Sequence, residues 1–429
     1  MCALKLKPHR GKEIKLGVMG SRRGRTFMKN AAPAGLKLVA ICDNNSTRLD
    51  SMRREYPGVK AYDDYERMLK SGIDAVVLAN FAHEHAPFAI MALQHGVHVM
   101  SESVACRTLA QGVELARTVE NSGRIYMYAE NYCYIPVIQE MRRRYRQGAI
   151  GTALFCQGEY IHPMSTAQTL ALTPGHDHWR NWRASTFYST HAMGPIMYIT
   201  GERPVAVNAR SVPFPSQDDC GQGLRRGDIF AALMCMMSNQ STCITTGWSG
   251  LPGHGNWYRV HGSRGLMENI RERGMGQYLR MVHEPWQMRA DEQHEVVYDP
   301  PPPIQNAAIQ YSGHGGSDFF TSYYFAEAIR KGRQPFLNVY RGLDMTIIGI
   351  QGWKSCLDNG NGYEIPDFRK ESVRKQHEND HFSVFPQDRC LAPNQPPPSV
   401  NGFNEPSAAM KKSAEKTWKQ MGFKLNELK

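Results

Sequence analysis

Over the first 150 residues, short apolar runs alternate with longer segments whose apolar positions recur at helical spacing. The runs "IKLGVMG", "LKLVAICD", "AVVLAN", "HVMSE" and "IYMYAE" have the length and content of buried strands. Between them, "RLDSMRREYP", "YERMLKSG", "HAPFAIMALQHG" and "LAQGVELARTVENSG" read as helices, several closing on Gly or Pro. Strands joined by helical crossovers pair in parallel, so this half is expected to be a doubly wound α/β sheet. From about Gly151 the pattern changes to longer alternating segments, "ALFCQGEYI", "VAVNARSV", "DIFAALMCMMS", "STCITTGWS", "WYRVHGSRGLMEN" and "EVVYDP". These predict an open, mainly antiparallel sheet. "TSYYFAEAIRKG" and "LDMTIIGIQGWKSCLDNG" return to helical spacing. Proline clusters at 300–303 and 396–398 mark connectors, and one short helix is expected around "SAAMKKSAEKTWKQM". The expected division is a nucleotide-binding domain over 1–150, a substrate-binding and oligomerisation α/β domain over 151–380, and a tail or extension over 381–429.

Composition narrows the function classes. No run approaches the ~18 apolar residues of a membrane span; the nearest, "IFAALMCMMS", reads as a buried strand. The basic N-terminus lacks the apolar core of an export signal, so a cytoplasmic address is expected. The ten cysteines include no pair at metal or thiol-redox spacing and are read as reduced core thiols. A net charge of +11 raises the question of nucleic acid, but Arg and Lys are spread along the chain. The run Arg142 to Arg144 reads as a solvated helix face, and no nucleic-acid or membrane partner is expected.

The first candidate site is "KLGVMGSRRGRTF", where a strand gives way to a helix. Backbone N–H groups and the positive helix end suit a pyrophosphate there. Gly20, Ser21, Arg22, Arg23 and Gly24 form the loop, with Arg22 in place of the second glycine of Gly-x-Gly-x-x-Gly. A side chain at that place should push phosphates outward or meet them with a guanidinium. Asp43 follows at the ~20-residue interval of the acid that binds the adenosine ribose, which favours NAD over NADP.

"ANFAHEHAPFAIMALQHGVHVMSES" resembles the segment of Gfo/Idh/MocA oxidoreductases that runs from the fourth strand to the nicotinamide, and "YRVHGSRGLMEN" is similar to part of their second domain. The likeness spans about residues 12 to 370. It implies an N-terminal Rossmann domain, a C-terminal α/β domain, NAD in the crevice between them, a carbohydrate substrate and a homo-oligomer, dimer or tetramer. By resemblance Asn80, His85 and Asn131 line the cofactor crevice and Glu102 holds the nicotinamide ribose. The next residue in most members is a lysine that moves the substrate proton; here it is Ser103, a poor base when unassisted.

A second cluster offers other bases. "GEYIHP", "GHDHWRNWR" and "FYSTHAMGP" bring Tyr160, His162, His178, Trp179, Arg180, Arg183, Tyr188 and His191 into some thirty residues. They resemble the branch that includes glycoside hydrolase family 109, as does "GHGGSDFF". The resemblance implies that Tyr188, His191, His162 and Tyr160 handle protons, while His178, Trp179 and Arg180 bind the sugar. Trp179 and Trp182 are also candidates to stack on a pyranose. His176 and His178 have the spacing of a strand-borne metal pair, but with Asp177 as the only evident acidic partner no metal is assigned. Two reactions share one first step, transfer of a hydride from a ring carbon, with C3 favoured, while Tyr188 or His191 takes the hydroxyl proton. The keto sugar then leaves, or the ketone acidifies C2–H and permits elimination and net glycoside cleavage. A binding protein that has lost catalysis is a third reading.

Overall fold

The computed structural model describes residues 13–214, 223–248, 250–272, 277–391 and 394–423 of the 429. Its first layer is a six-stranded parallel sheet of β1 (Ile14–Met19), β2 (Leu36–Cys42), β3 (Lys60–Tyr62), β4 (Ala75–Leu78), β5 (His98–Ser101) and β6 (Tyr126–Tyr128). The order β3-β2-β1-β4-β5-β6 reverses direction between β1 and β4. Ligands of such sheets gather outside the carboxyl ends of the strands at that reversal. The crossovers are α1 (Gly24–Ala31), α2 (Ser46–Glu55), α3 (Tyr65–Leu69), α4 (His85–Gln94) and α5 (Leu109–Ser122). β4 is buried at every position, as a strand covered on both faces must be. The very short β3 has no apolar run of its own and was not expected.

After α6 (Pro136–Arg146) the chain builds a nine-stranded sheet. Its strands are β7 (Ala153–Ile161), β8 (Pro204–Val212), β9 (Phe230–Met237), β10 (Thr242–Thr246), β11 (Gly255–Gly262), β12 (Leu266–Asn269), β13 (Leu279–Val282), β14 (Glu295–Tyr298) and β15 (Tyr363–Glu364). The pairing is antiparallel except where β10 lies parallel to β7. β9 is not the fully buried strand expected: Met234 and Met236 point outward and are exposed, because its outer face is uncovered.

Three short helices interrupt the stretch that carries the His and Tyr cluster: α7 (Thr166–Leu172), α8 (Trp179–Trp182) and α9 (Thr190–Thr200). They are followed by α10 (Ala308–Tyr311), α11 (Ser317–Lys331), α12 (Val339–Leu357), α13 (Glu371–His377) and α14 (Ala408–Gln420). α9 and α12 pack on the inner face of the large sheet. The expected C-terminal extension folds back: Trp418 of α14 is 0% exposed against α7, and its Nε1 donates to Leu170 O at 2.9 Å. Arg142 is not solvated as expected; its guanidinium stacks between Tyr198 and Phe336, 4.3 and 4.1 Å from the ring centroids. Arg143 and Arg144 pair with Glu140.

Candidate active site

The phosphate loop turns at Gly20, whose φ of +89° disfavours any side chain and whose added Cβ would lie 2.5 Å from Ala79 O. Asp43, at the end of β2, braces this loop. Its Oδ2 accepts from Ser21 N (2.8 Å) and Ser21 Oγ (2.5 Å), and its Oδ1 accepts from Asn45 N (2.9 Å). The carboxylate expected to receive a ribose is therefore buried and already shared with loop donors. Arg22 reaches across to α7, where Nη2 donates to Ala171 O at 2.7 Å. Burial and the guanidiniums of Arg48 and Arg180 lower its pKa.

Arg23 links the two halves of the molecule. Its Nε lies 2.6 Å from Glu102 Oε1 and its Nη2 2.9 Å from Asp318 Oδ1. Asp318 also accepts from Asn131 Nδ2 (3.1 Å) and His314 Nδ1 (2.8 Å). Burial opposes ionisation of Asp318, but the His314 hydrogen bond and the Arg23 charge outweigh it and hold the carboxyl well below its usual range.

At the end of β6 stands Glu130, 0% exposed, whose Oε1 lies 2.7 Å from His191 Nδ1. Oε1 also accepts from Tyr132 N (3.3 Å), and Oε2 from Ser103 Oγ (3.4 Å). Gly194, one turn after His191 on α9, permits this approach, since a Cβ there would meet Glu130 Cγ at 2.7 Å. Tyr258 Oη donates to His191 O at 2.7 Å and fixes the start of the helix. The imidazole is enclosed by Tyr132, Tyr160 and Tyr188, with ring centroids 4.6, 4.7 and 4.7 Å away. Burial pushes the Tyr160 and Tyr132 phenols well up. His162 lies beside Tyr160 and meets His254 edge-on at 5.0 Å; burial and His254 lower its pKa, so it is neutral near pH 7.

The structure thus joins Tyr160, His162, Tyr188 and His191 in one cluster, and gathers Asn80, His85, Glu102 and Asn131 at the carboxyl ends of β4 to β6. The expected sugar-binding residues His178, Trp179 and Arg180 stay in contact with one another, the Arg180 guanidinium 4.5 Å over the Trp179 ring. His178 caps α8 by accepting from Arg180 N at 3.3 Å, and packs edge-on against Phe81. Trp179 is buried between Phe187, His83 and Arg180, so it offers no open face to a pyranose. Trp182 is covered by Arg226 and Arg389. Arg180 lines a cavity together with Arg183 and Arg225. His176 turns to Glu415 at 3.0 Å rather than toward His178. Among the described residues no three His, Cys, Asp or Glu side chains converge as a metal site would require.

Glu130, Tyr132, His314 and Asp318 were not singled out from the sequence. Glu130 carried a usable signal, a carboxylate directly after an apolar parallel strand. His314 and Asp318 sit four apart across the start of a helix, a spacing that leaves their meeting to tertiary structure.

Two observations fit a dinucleotide in this crevice. The first helix after β1 has no side-chain cap, which leaves loop N–H groups for phosphate oxygens. Asn80 Oδ1 and His85 Nε2 are buried without a partner at the ends of the central strands; His85 Nδ1 faces Val104 O at 3.0 Å, and burial keeps the ring neutral.

Comparison with known proteins agrees with this geometry. Residues 14–130 match the oxidoreductase family with NAD-binding Rossmann fold, Gfo/Idh/MocA, and residues 216–375 match the C-terminal domain of glycosyl hydrolase 109. The chain is 24% identical over 410 residues to a glycosyl hydrolase family 109 protein of Stenotrophomonas maltophilia (strain K279a), covering 84% of this chain and 90% of that one. It is 25% identical over 371 residues to a protein of the same description from Shewanella baltica (strain OS155), covering 78% and 80%. Its fold is similar to that of levoglucosan dehydrogenase in complex with NADH and levoglucosan, with 20% identity, a TM-score of 0.70, and 82% and 100% of the two chains covered. It is also similar to aldose-aldose oxidoreductase from Caulobacter crescentus, with 19% identity, a TM-score of 0.66, and 82% and 99% covered. The chain therefore joins an N-terminal segment that matches the NAD-binding Rossmann domain of the Gfo/Idh/MocA oxidoreductases to a segment that matches the C-terminal domain of glycosyl hydrolase family 109.

Proposed function

We propose that this protein is an NAD-linked oxidoreductase acting on a ring hydroxyl of a sugar or glycoside, with C3 as the reacting carbon. The observation that carries the reading is the buried His191–Glu130 pair. With Nδ1 committed to the carboxylate, Nε2 of His191 is the nitrogen left to accept the hydroxyl proton. Glu130 fixes that tautomer and stabilises the imidazolium that forms. NAD, when bound, supplies the acceptor for the carbinol hydrogen. Tyr160 stays protonated and serves as a donor to a substrate oxygen, since its phenol is held well above its usual range. The three tyrosine rings exclude water from the imidazole. Ser103 takes no proton itself; its hydroxyl supports the carboxylate behind the base. The proteins of similar fold include dehydrogenases of sugars, which supports the substrate class.

The C-terminal family match favours a second reading, glycoside cleavage by transient oxidation. In it, a neutral imidazole at His162, beside Tyr160, removes the C2 proton after His191 has acted. Anaerobic incubation with NAD and either a nitrophenyl glycoside or the free sugar separates the two. Stoichiometric NADH indicates oxidation, and phenol release without net NADH indicates cleavage. Absence of both across a broad sugar panel sinks the proposal in either form.

A further inference from the structure

Next to the tyrosine enclosure lies a cavity lined by Thr169, Arg180, Arg183, Phe214, Arg225 and Trp248. Arg183 is 3% exposed and Arg225 7%. Both guanidinium groups lie over the Trp248 ring, their Cζ atoms 5.0 and 3.5 Å from its centroid. Arg183 also lies over Tyr188 at 5.2 Å, which connects the cavity to His191. Arg183 Nε, Arg225 Nε and Arg225 Nη2 are buried with no hydrogen-bond partner, and neither residue forms an ion pair among the described residues. Asp228 attracts Arg225 through space, but its Oδ2 accepts from Val400 N at 3.2 Å and its Oδ1 is itself unpartnered. Burial and Arg180 lower Arg183 to about 9.

Burying two like charges side by side with no ion pair to either is costly for a fold, and leaving their donors unpaired adds to that cost. Planar guanidinium forks in the wall of a cavity are also the groups that receive a carboxylate, sulfate or phosphate. We infer that the substrate presented to His191 carries an anionic group, a carboxylate or a sulfate or phosphate ester, and that Arg183 and Arg225 receive it. The inference deepens the proposed function and relies on it for the word substrate. A neutral sugar would leave the buried donors unpaired, so the pair selects against it.

The test uses the full chain with and without NAD. Thermal melts are recorded with sodium sulfate, sodium D-glucuronate, D-glucose, and sodium chloride at matched ionic strength. Sulfate and glucuronate are expected to raise the melting temperature saturably, and glucose and chloride to leave it unchanged. R183M/R225M is expected to lose the anion response while melting at or above the wild type, because two buried charges that form no ion pair have been removed. A structural role alone would lower that melting point. Should the double variant not fold, R225K is read instead. It keeps the charge but loses the fork, and should weaken sulfate about 10-fold. In turnover, a nitrophenyl glucuronide should exceed the glucoside at least ~100-fold in kcat/KM. An anion response that persists in the variants, or an equal response to glucose, overturns the inference. Anion stabilisation without turnover of any sugar leaves this site standing and removes the oxidoreductase reading; turnover of neutral sugars without an anion response does the reverse.

Discussion

Ser103 stands where a lysine is expected, and its Oγ lies 3.4 Å from the carboxylate that holds His191. In the proposed mechanism a base contributed from α9 takes the place of that lysine, and the burden falls on Glu130. Glu130→Gln keeps the volume and a hydrogen bond to Nδ1 but withdraws the charge that an imidazolium needs. Its kcat should fall ~10²–10⁴-fold, with NAD affinity changed less than about 2-fold. Steady-state kinetics and fluorescence titration of NAD read the two quantities, and an unchanged kcat removes His191 from the base role. Gly20→Ala tests the other end of the crevice. A Cβ at φ +89° and 2.5 Å from Ala79 O should cost about 1–3 kcal/mol in a urea melt and weaken NAD as well. Normal NAD binding by that variant would show that the loop does not need its tight turn.

At the scale of elements, α8 is only four residues long and begins on His178, whose Nδ1 accepts from Arg180 N. An acceptor nitrogen must be unprotonated, and burial and the Arg180 charge lower this imidazole to about 2. His83, packed on Phe385 and Trp179, is lowered to about 3 by burial and Arg107. Both bind their protons in the unfolded chain near 6.5 but not in the fold. The unfolded state therefore holds more protons below that pH, and stability falls as pH drops, by about 1.4 kcal/mol per pH unit for each. His178→Asn retains a capping acceptor and should flatten the slope between pH 6 and 4 by one such increment, as urea melts across that range would show. An unchanged slope would mean that His178 is protonated in the fold. The sequence foretold the sheet and its crossovers because β1, β2, β4 and β5 are short, mainly apolar runs separated by helical patterns, several of which close on Gly or Pro. It did not foretell α7 to α9, whose short turns are set by tertiary contacts such as Trp418 on α7. Trp179 misled for a related reason: an aromatic beside Arg and His looks the same in sequence whether it faces a sugar or a core. Tyr160, His162, Tyr188 and His191 were legible as a spatial cluster because they lie close in sequence, whereas Glu130 and Asp318 meet their partners from strands and helices far apart in the chain.

For the molecule as a whole, the unresolved balance is the outer face of the large sheet. α9 and α12 cover one side, while the other exposes Val212 on β8, Met234 (50% exposed) and Met236 on β9, and Ile244 on β10. These positions are neighbours: Met234 pairs directly with Ile244, and Val212 with Phe230. Toward β13 the neighbouring strands turn polar, with Arg280 bridging Glu268 and Glu295 at 2.7 and 2.6 Å. An apolar centre with a charged margin is the composition of a protein interface, and an isologous contact would bury this centre against its own copy at ~800 Å² per partner. A net charge of +11 opposes casual association, so contact at this face must be specific to persist. Sedimentation velocity is expected to find a dimer or tetramer. Placing a carboxylate on each of two paired strands, as in M234E/I244E, should shift the boundary to the monomer and leave far-UV circular dichroism unchanged, since both side chains already face solvent. Should the wild type sediment as a monomer at tens of micromolar, the exposed methionines are a surface without a second copy, and the apolar alternation of β9 needs another explanation.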